Sequence, residues 1–263
     1  MQKYFEIFRV TWAEYLSYRL NFILWRFRVF LNLLIIFFLW SSIYAGQSRL
    51  FDYTKVQILT YILLSSLIAN FVMGTRTTEI AQQIIQGDII NYILKPVSFF
   101  KYYLAKDLAD KFINFIFAFF EIGLLIVLFK PDLYIQKDPL ALFSFIILFL
   151  IGTLISFFIN ISLSFIGFWT TEVWAPRFIY FVLISFLSGA YFPLDILPKP
   201  LYYLLLATPF PYLYYLPTKI YLQGVSTDIL YAIALSLTWV YLSYKFSKLL
   251  WQKGLKNFSF YGR

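Results

Sequence analysis

The chain has 263 residues, 61% of them hydrophobic and only 13% charged, about half the charge of a soluble domain. This is the composition of an integral membrane protein with no sizeable soluble domain. Cysteine and histidine are absent, which excludes disulfides, thiol nucleophiles, imidazole bases and the usual zinc sites, so no metal site is expected. The net charge of +9 does not mark a nucleic-acid binder, because the 32 Phe and 22 Tyr suit lipid-facing and interfacial packing.

In chain order, residues 1–28 are expected to form an amphipathic helix lying in the membrane interface. Phe5, Phe8, Trp12, Tyr15 and Leu16 recur at spacings of three and four, with Lys3, Glu6, Arg9, Glu14 and Arg19 between them. Glu6 and Glu14 interrupt this stretch, so it is not expected to be a secretory signal. Arg26 and Arg28 are expected to snorkel back to the same surface. Six apolar stretches then qualify as spans, near 29–45, 56–74, 112–129, 140–169, 178–192 and 229–247. The fourth is long for a span and must tilt, kink or protrude, with Gly152, Asn160 and Gly167 as places to bend. No internal repeat is visible, which gives no support to an inverted-repeat secondary transporter.

Between the second and third spans lies a loop over 75–111. Thr75, Thr77 or Thr78 can cap a short helix that Gly87 terminates before Asp88. Ile80, Ile84 and Ile85 fall on one side of this helix, and Glu79, Gln82, Gln83 and Gln86 mostly cover the rest. Together with Thr75, Arg76 and Thr77, these residues are the candidate docking surface for a cytoplasmic partner, against the plainer reading of a solvated connector. Glu79→Arg or Gln83→Arg is expected to weaken that docking. Lys95-Pro96 breaks the chain before a second interfacial helix leads into the third span.

Glu121 is the only acid near the middle of a span. It is expected to face the bundle interior as a packing contact, in preference to a proton or substrate contact, with Asn70, Asn114 or Asn160 as its polar neighbour. The fifth span is short. It runs into Ser188-Gly189-Ala190-Tyr191-Phe192-Pro193 and a segment, 193–228, that stays apolar but is broken at Pro198, Pro200, Pro209, Pro211 and Pro217. Short helices dipping in from the outer face fit this pattern, with Gly189, Tyr191, Phe192, Pro193, Pro198, Pro209, Phe210 and Pro211 as candidate outer-gate residues. Charge supports this. With the N-terminus cytoplasmic, 16 of the 22 Lys and Arg fall inside and 6 outside, so both termini are expected in the cytoplasm and the number of crossings is even.

These residues resemble a known family. Gly87-Asp88-Ile89, Leu94-Lys95-Pro96, Ser188 to Pro198, the stretch from Thr208 to Pro217, and Ile220-Tyr221-Leu222-Gln223-Gly224 resemble type-2 ABC exporter permeases of the daunorubicin or multidrug type. Leu250 to Gly262 is similar to the same branch. The resemblance implies an all-α polytopic permease of the cell membrane, multi-pass, with a coupling helix over roughly Thr75 to Gly87 and re-entrant helices between spans five and six. It also implies a second permease subunit, identical or related, and a cytoplasmic ABC ATPase subunit that binds ATP and Mg. This chain has no Gly-rich phosphate loop of its own and is not expected to be an enzyme or to bind a cofactor. The cargo expected from its walls is an amphiphile such as a lipid, glycolipid or hydrophobic drug, with membrane lipids as neighbours. The alternatives are an ion-coupled transporter or channel, a non-transporting assembly subunit, and a membrane-embedded enzyme built on Asp88, Asp107 and Asp110.

Overall fold

A computed structural model describes residues 2–17, 19–94, 98–225 and 229–258. Lys95-Pro96, the stretch 226–228 and the end of the tail, including Arg263, lie outside the described residues. The first helix, α1 (Gln2–Ser17), lies along the start of α6 (Phe99–Phe129). The Trp12 indole donates to the Ala109 carbonyl at 2.8 Å, and the Phe8 ring packs edge-on to Phe112. Phe5, on the expected apolar face, stays exposed.

The second helix, α2 (Arg19–Ile43), starts about ten residues before the expected first span. Arg26 and Arg28 do not stop it, and Arg26 does not snorkel to the surface. It is buried, because an acid on α6 meets it inside the bundle. A two-residue hairpin follows, pairing Arg49 with Thr54 and Leu50 with Tyr53. Phe51 and Asp52 turn it with positive φ, and it is the departure from an all-α fold among the described residues. Thr54 then opens α3 (Lys55–Met73) with a capping box, its hydroxyl accepting from the Gln57 amide while the Gln57 side chain accepts in return.

Helix α4 (Thr78–Gln86) ends at Gly87, whose φ of 84° provides the left-handed cap. A single turn, α5 (Ile90–Ile93), follows. Helix α6 runs unbroken for 31 residues, about 46 Å. The expected interfacial helix and third span are therefore one element, because Asp107, Asp110 and Lys111 are buried with partners instead of marking a boundary. Asp138 caps α7 (Pro139–Ser164), accepting from Leu140 and Ala141, with Pro139 in the first turn. A 3-10 turn over Phe165–Phe168 extends it.

Helix α8 (Trp174–Leu187) has only 14 residues. It stops before the expected end of the fifth span because Gly189 turns the chain at φ +78°. After it come a 3-10 turn (Leu194–Ile196), α9 (Lys199–Leu206), a second 3-10 turn (Phe210–Tyr212), α10 (Tyr215–Gln223) and α11 (Ile229–Asn257). Among the described residues, the helices long and apolar enough to cross a membrane are α2, α3, α6, α7 and α11; α8 is apolar but shorter.

Helix α3 is the centre of the bundle, and α10 and the 3-10 turn before it pack on α7. A Cβ added to Gly152, midway along α7, would lie 2.7 Å from the Tyr212 carbonyl oxygen. Only glycine allows the broken segment that close. The chain between α8 and α11 thus reaches the middle of a long apolar helix.

Candidate functional site

Two ends and one groove carry the polar chemistry. At the first end, α4 turns Ile80, Ala81 and Ile84 into the bundle. A Cβ on Gly167 would lie 3.0 Å from the Ala81 carbonyl oxygen, so α4 rests directly on the 3-10 turn after α7. The Thr77 carbonyl accepts from Ser164 Oγ at 2.6 Å, and Arg177 of α8 donates to the same hydroxyl at 2.5 Å. Thr75 Oγ1 accepts from the Thr77 amide at 3.2 Å, fixing the entry to the helix.

The residues expected to dock a partner divide into two sets. Glu79 faces α6, binding Arg76 and Lys106, each at 2.7 Å. Gln83 accepts from the Tyr103 hydroxyl and donates to Tyr92. Arg76 also approaches Glu14 of α1 and Asp110 of α6, at 3.8 and 3.5 Å. The exposed stripe is Thr78, Gln82 and Gln86, at successive spacings of four, continued by Asp88. Glu79 and Gln83 thus hold α4 to the bundle, while Gln82, Gln86 and Asp88 face outward.

Beneath α4 lie contacts that the sequence did not reveal. Lys111 and Asp107 form a fully buried pair at 3.1 Å. The Lys111 amine also donates to the Val72 carbonyl at 2.9 Å and to the Gly74 carbonyl, placing a cation on the C-terminus of α3. Ser156 Oγ of α7 donates to the same Val72 carbonyl at 2.7 Å. The available signal was the Asp107–Lys111 spacing of four, the spacing of a helical ion pair.

Glu121 is not a lone acid. Arg26 grips it in a bidentate fork, with Nε to Oε1 at 2.7 Å and Nη2 to Oε2 at 2.5 Å. The remaining Arg26 nitrogen donates to Asn70 and Asn114 at 2.9 and 3.2 Å. Three of the four expected intramembrane polar residues therefore meet around an arginine assigned elsewhere. Asn160 stands apart on α7, donating to Ser156.

A groove of about 1010 Å³ runs between α2, α3 and α8. Arg76, Asp110 and Glu14 lie in its lining at the α4 end, and Tyr191 and Tyr214 at the other.

The far end of the bundle is closed by the segment after α8. The Tyr61 hydroxyl donates to the Gly189 carbonyl at 2.6 Å, and the Trp40 indole to the Tyr191 carbonyl at 2.8 Å. The Tyr215 amide returns to the Ser188 carbonyl at 3.0 Å. Gly189 has no room for a side chain, since a Cβ would lie 2.8 Å from the Tyr61 oxygen. Phe192 and Phe210 are half-buried, Pro193 and Pro211 are buried, Pro209 is intermediate and Pro198 is exposed. Asp195 binds Lys219 at 3.1 Å and accepts from Tyr53 at 2.9 Å, tying the hairpin to α10. Burial first, and then the Asp195 charge, push the Tyr53 hydroxyl well above its usual range, so it stays a donor.

Residues 30–262 match the family model described as ABC-2 family transporter protein. A search of curated proteins finds no match.

Proposed function

Since the chain belongs to the ABC-2 transporter family, we propose that it is the transmembrane permease subunit of an ATP-driven exporter. Its energy comes from a separate cytoplasmic ABC ATPase subunit that binds ATP and Mg. The observation that carries this reading is the two-sided construction of α4. One face is held to α6 by Glu79, to α7 and α8 through the Thr77 carbonyl, and to the core by the packed Ile80, and the other presents a free polar stripe. A partner that grips Thr78, Gln82 and Gln86 therefore acts on three helices at once. Nucleotide-driven movement of the ATPase shifts the permease only if the ATPase binds its two states with different affinity.

The charge distribution supports a cytoplasmic α4 end, with both termini on that side. The contact of Tyr212 with Gly152 supports a re-entrant reading of the segment between α8 and α11. Together α2, α8 and the groove between them offer a surface for a second permease subunit and a path for an amphiphilic cargo. An ion-coupled transporter wants an intramembrane acid free to titrate, and Arg26 engages both oxygens of Glu121.

Purification in mild detergent tests the reading. The full chain should retain an ATPase subunit, and an active preparation with no ATPase bound or required would sink it. A label at Lys199 should be reached from outside and one at Arg263 only from inside. Labelling of both from one face would overturn the topology.

A further inference from the structure

Arg26 and Arg28 stand two positions apart on α2, so their side chains leave the helix about 200° apart. Arg26 turns inward to Glu121 and two asparagines. Arg28 turns outward and lines the groove, its guanidinium carbon 4.0 Å from the centre of the Trp25 ring. Among the described residues it has no ion pair or hydrogen bond. The acids of the same groove are already engaged, because Glu14 and Asp110 both face Arg76. Arg28 is thus the uncompensated charge of the lining.

Its position along α2 matters. From Arg28 to Ile43 the helix rises about 22 Å, less than a ~30 Å hydrocarbon core, so with Ile43 at the outer boundary the guanidinium lies at apolar depth. A cation at that depth is costly unless an anion meets it or its stem carries it to the headgroups. Above it the groove walls are mostly apolar, with Leu33, Ile36, Ile62 and Phe181, interrupted by Asn32, Ser66 and Ser185. They continue to Tyr191, which Trp40 holds about 18 Å further along α2. A cation at the base of a greasy trough of that length is complementary to one kind of molecule.

We propose that this groove takes an amphiphile with an anionic headgroup, the headgroup on Arg28 and the chain along α2, α3 and α8. The Trp25 ring sits against the guanidinium carbon without using its N–H donors, which stay available for a bidentate contact with phosphate, sulfate or carboxylate oxygens. Naming this occupant as cargo rests on the export reading above, but its binding does not.

The test is lipid binding to the full chain in nanodiscs, without ATPase, by native mass spectrometry. Phosphatidylglycerol and phosphatidylcholine of the same chain length are the probes, with inorganic phosphate as competitor. One phosphatidylglycerol per chain should bind saturably, about tenfold tighter than phosphatidylcholine, whose choline cation offsets the same phosphate charge beside Arg28. Arg28→Gln should abolish the preference and Arg28→Lys should keep part of it, while Arg9→Gln on the exposed face of α1 should change nothing. No preference in the parent chain, or an equal preference in Arg28→Gln, overturns the proposal. Displacement by inorganic phosphate at similar concentration would reduce the site to one for a free anion. Dimers that bind neither lipid would assign the groove to a second copy of the chain; either result rejects the amphiphile. Loss of ATPase retention with this binding intact would instead remove the export reading alone.

Discussion

Replacing Glu121 with leucine should destabilise the chain far more than the loss of one hydrogen-bonding residue suggests. Arg26 is 6% exposed at its side chain and gives Glu121 two of its donors. Without that acid, a guanidinium stays buried with only the carbonyl oxygens of Asn70 and Asn114. Breaking a buried ion pair from one side costs about 3–5 kcal/mol, which is roughly two to three and a half decades in the folding equilibrium. Removing both partners, as Arg26→Met with Glu121→Leu, takes the charges away together and should return to within about 1–2 kcal/mol of the parent. Asn70→Ala and Asn114→Ala should each cost about 1 kcal/mol, nearer the modest scale of hydrogen bonds inside membranes. Steric-trapping unfolding in bicelles gives the four corners of the cycle. A Glu121→Leu cost below about 1 kcal/mol, or a double variant worse than the sum of the singles, would refute the argument that the pair is a mutually dependent buried unit.

Gly189→Ala should lower the midpoint of thermal unfolding, at a cost of about 2 kcal/mol or more, because the position combines positive φ with a crowded Cβ; an unchanged midpoint would contradict the packing. Gln86→Arg should weaken ATPase retention in pull-downs without moving the thermal midpoint. Glu79→Arg should move the midpoint itself, since it puts a third cation against Arg76 and Lys106. If the two variants behave alike, α4 does not have the two faces described. Lys111→Met should cost about 3–5 kcal/mol by stranding Asp107, and an Asp107→Leu companion substitution should recover most of it, as read by unfolding in the same bicelles.

Much of the fold was legible because it is written in local spacing. The stop at Gly87 and the short helix between the second and third spans follow from neighbours a few residues apart. The break after α8 was visible as well, in Gly189 and the prolines that follow. Charge inside helices gives no local sign that it is buried. Arg26 and Lys111 read as boundaries, yet α2 begins at Arg19 and α6 runs through Lys111 without a break. Each is tolerated because of a partner elsewhere in the fold: Glu121 lies 95 residues from Arg26, and Val72 lies 39 residues from Lys111. No periodicity carries such information. For the same reason Glu79 and Gln83 looked like a surface, although Lys106 and Tyr103, which bind them, come from another helix.

The Val72 carbonyl gives the machine a kinematic rule. One oxygen at the end of α3 holds a lysine from α6 and a serine from α7, using both lone pairs. None of the three helices can slide past the others without leaving a buried ammonium or an empty carbonyl behind. They form a stator. A push delivered through α4, as the proposed coupling requires, would carry α3, α6 and α7 as one body, and Arg177, at the foot of α8, is bonded to the Ser164 hydroxyl of α7 that also grips the entry to α4. Under the proposed export reading, the displacement is expected between that body and α8, along the groove that α8 borders.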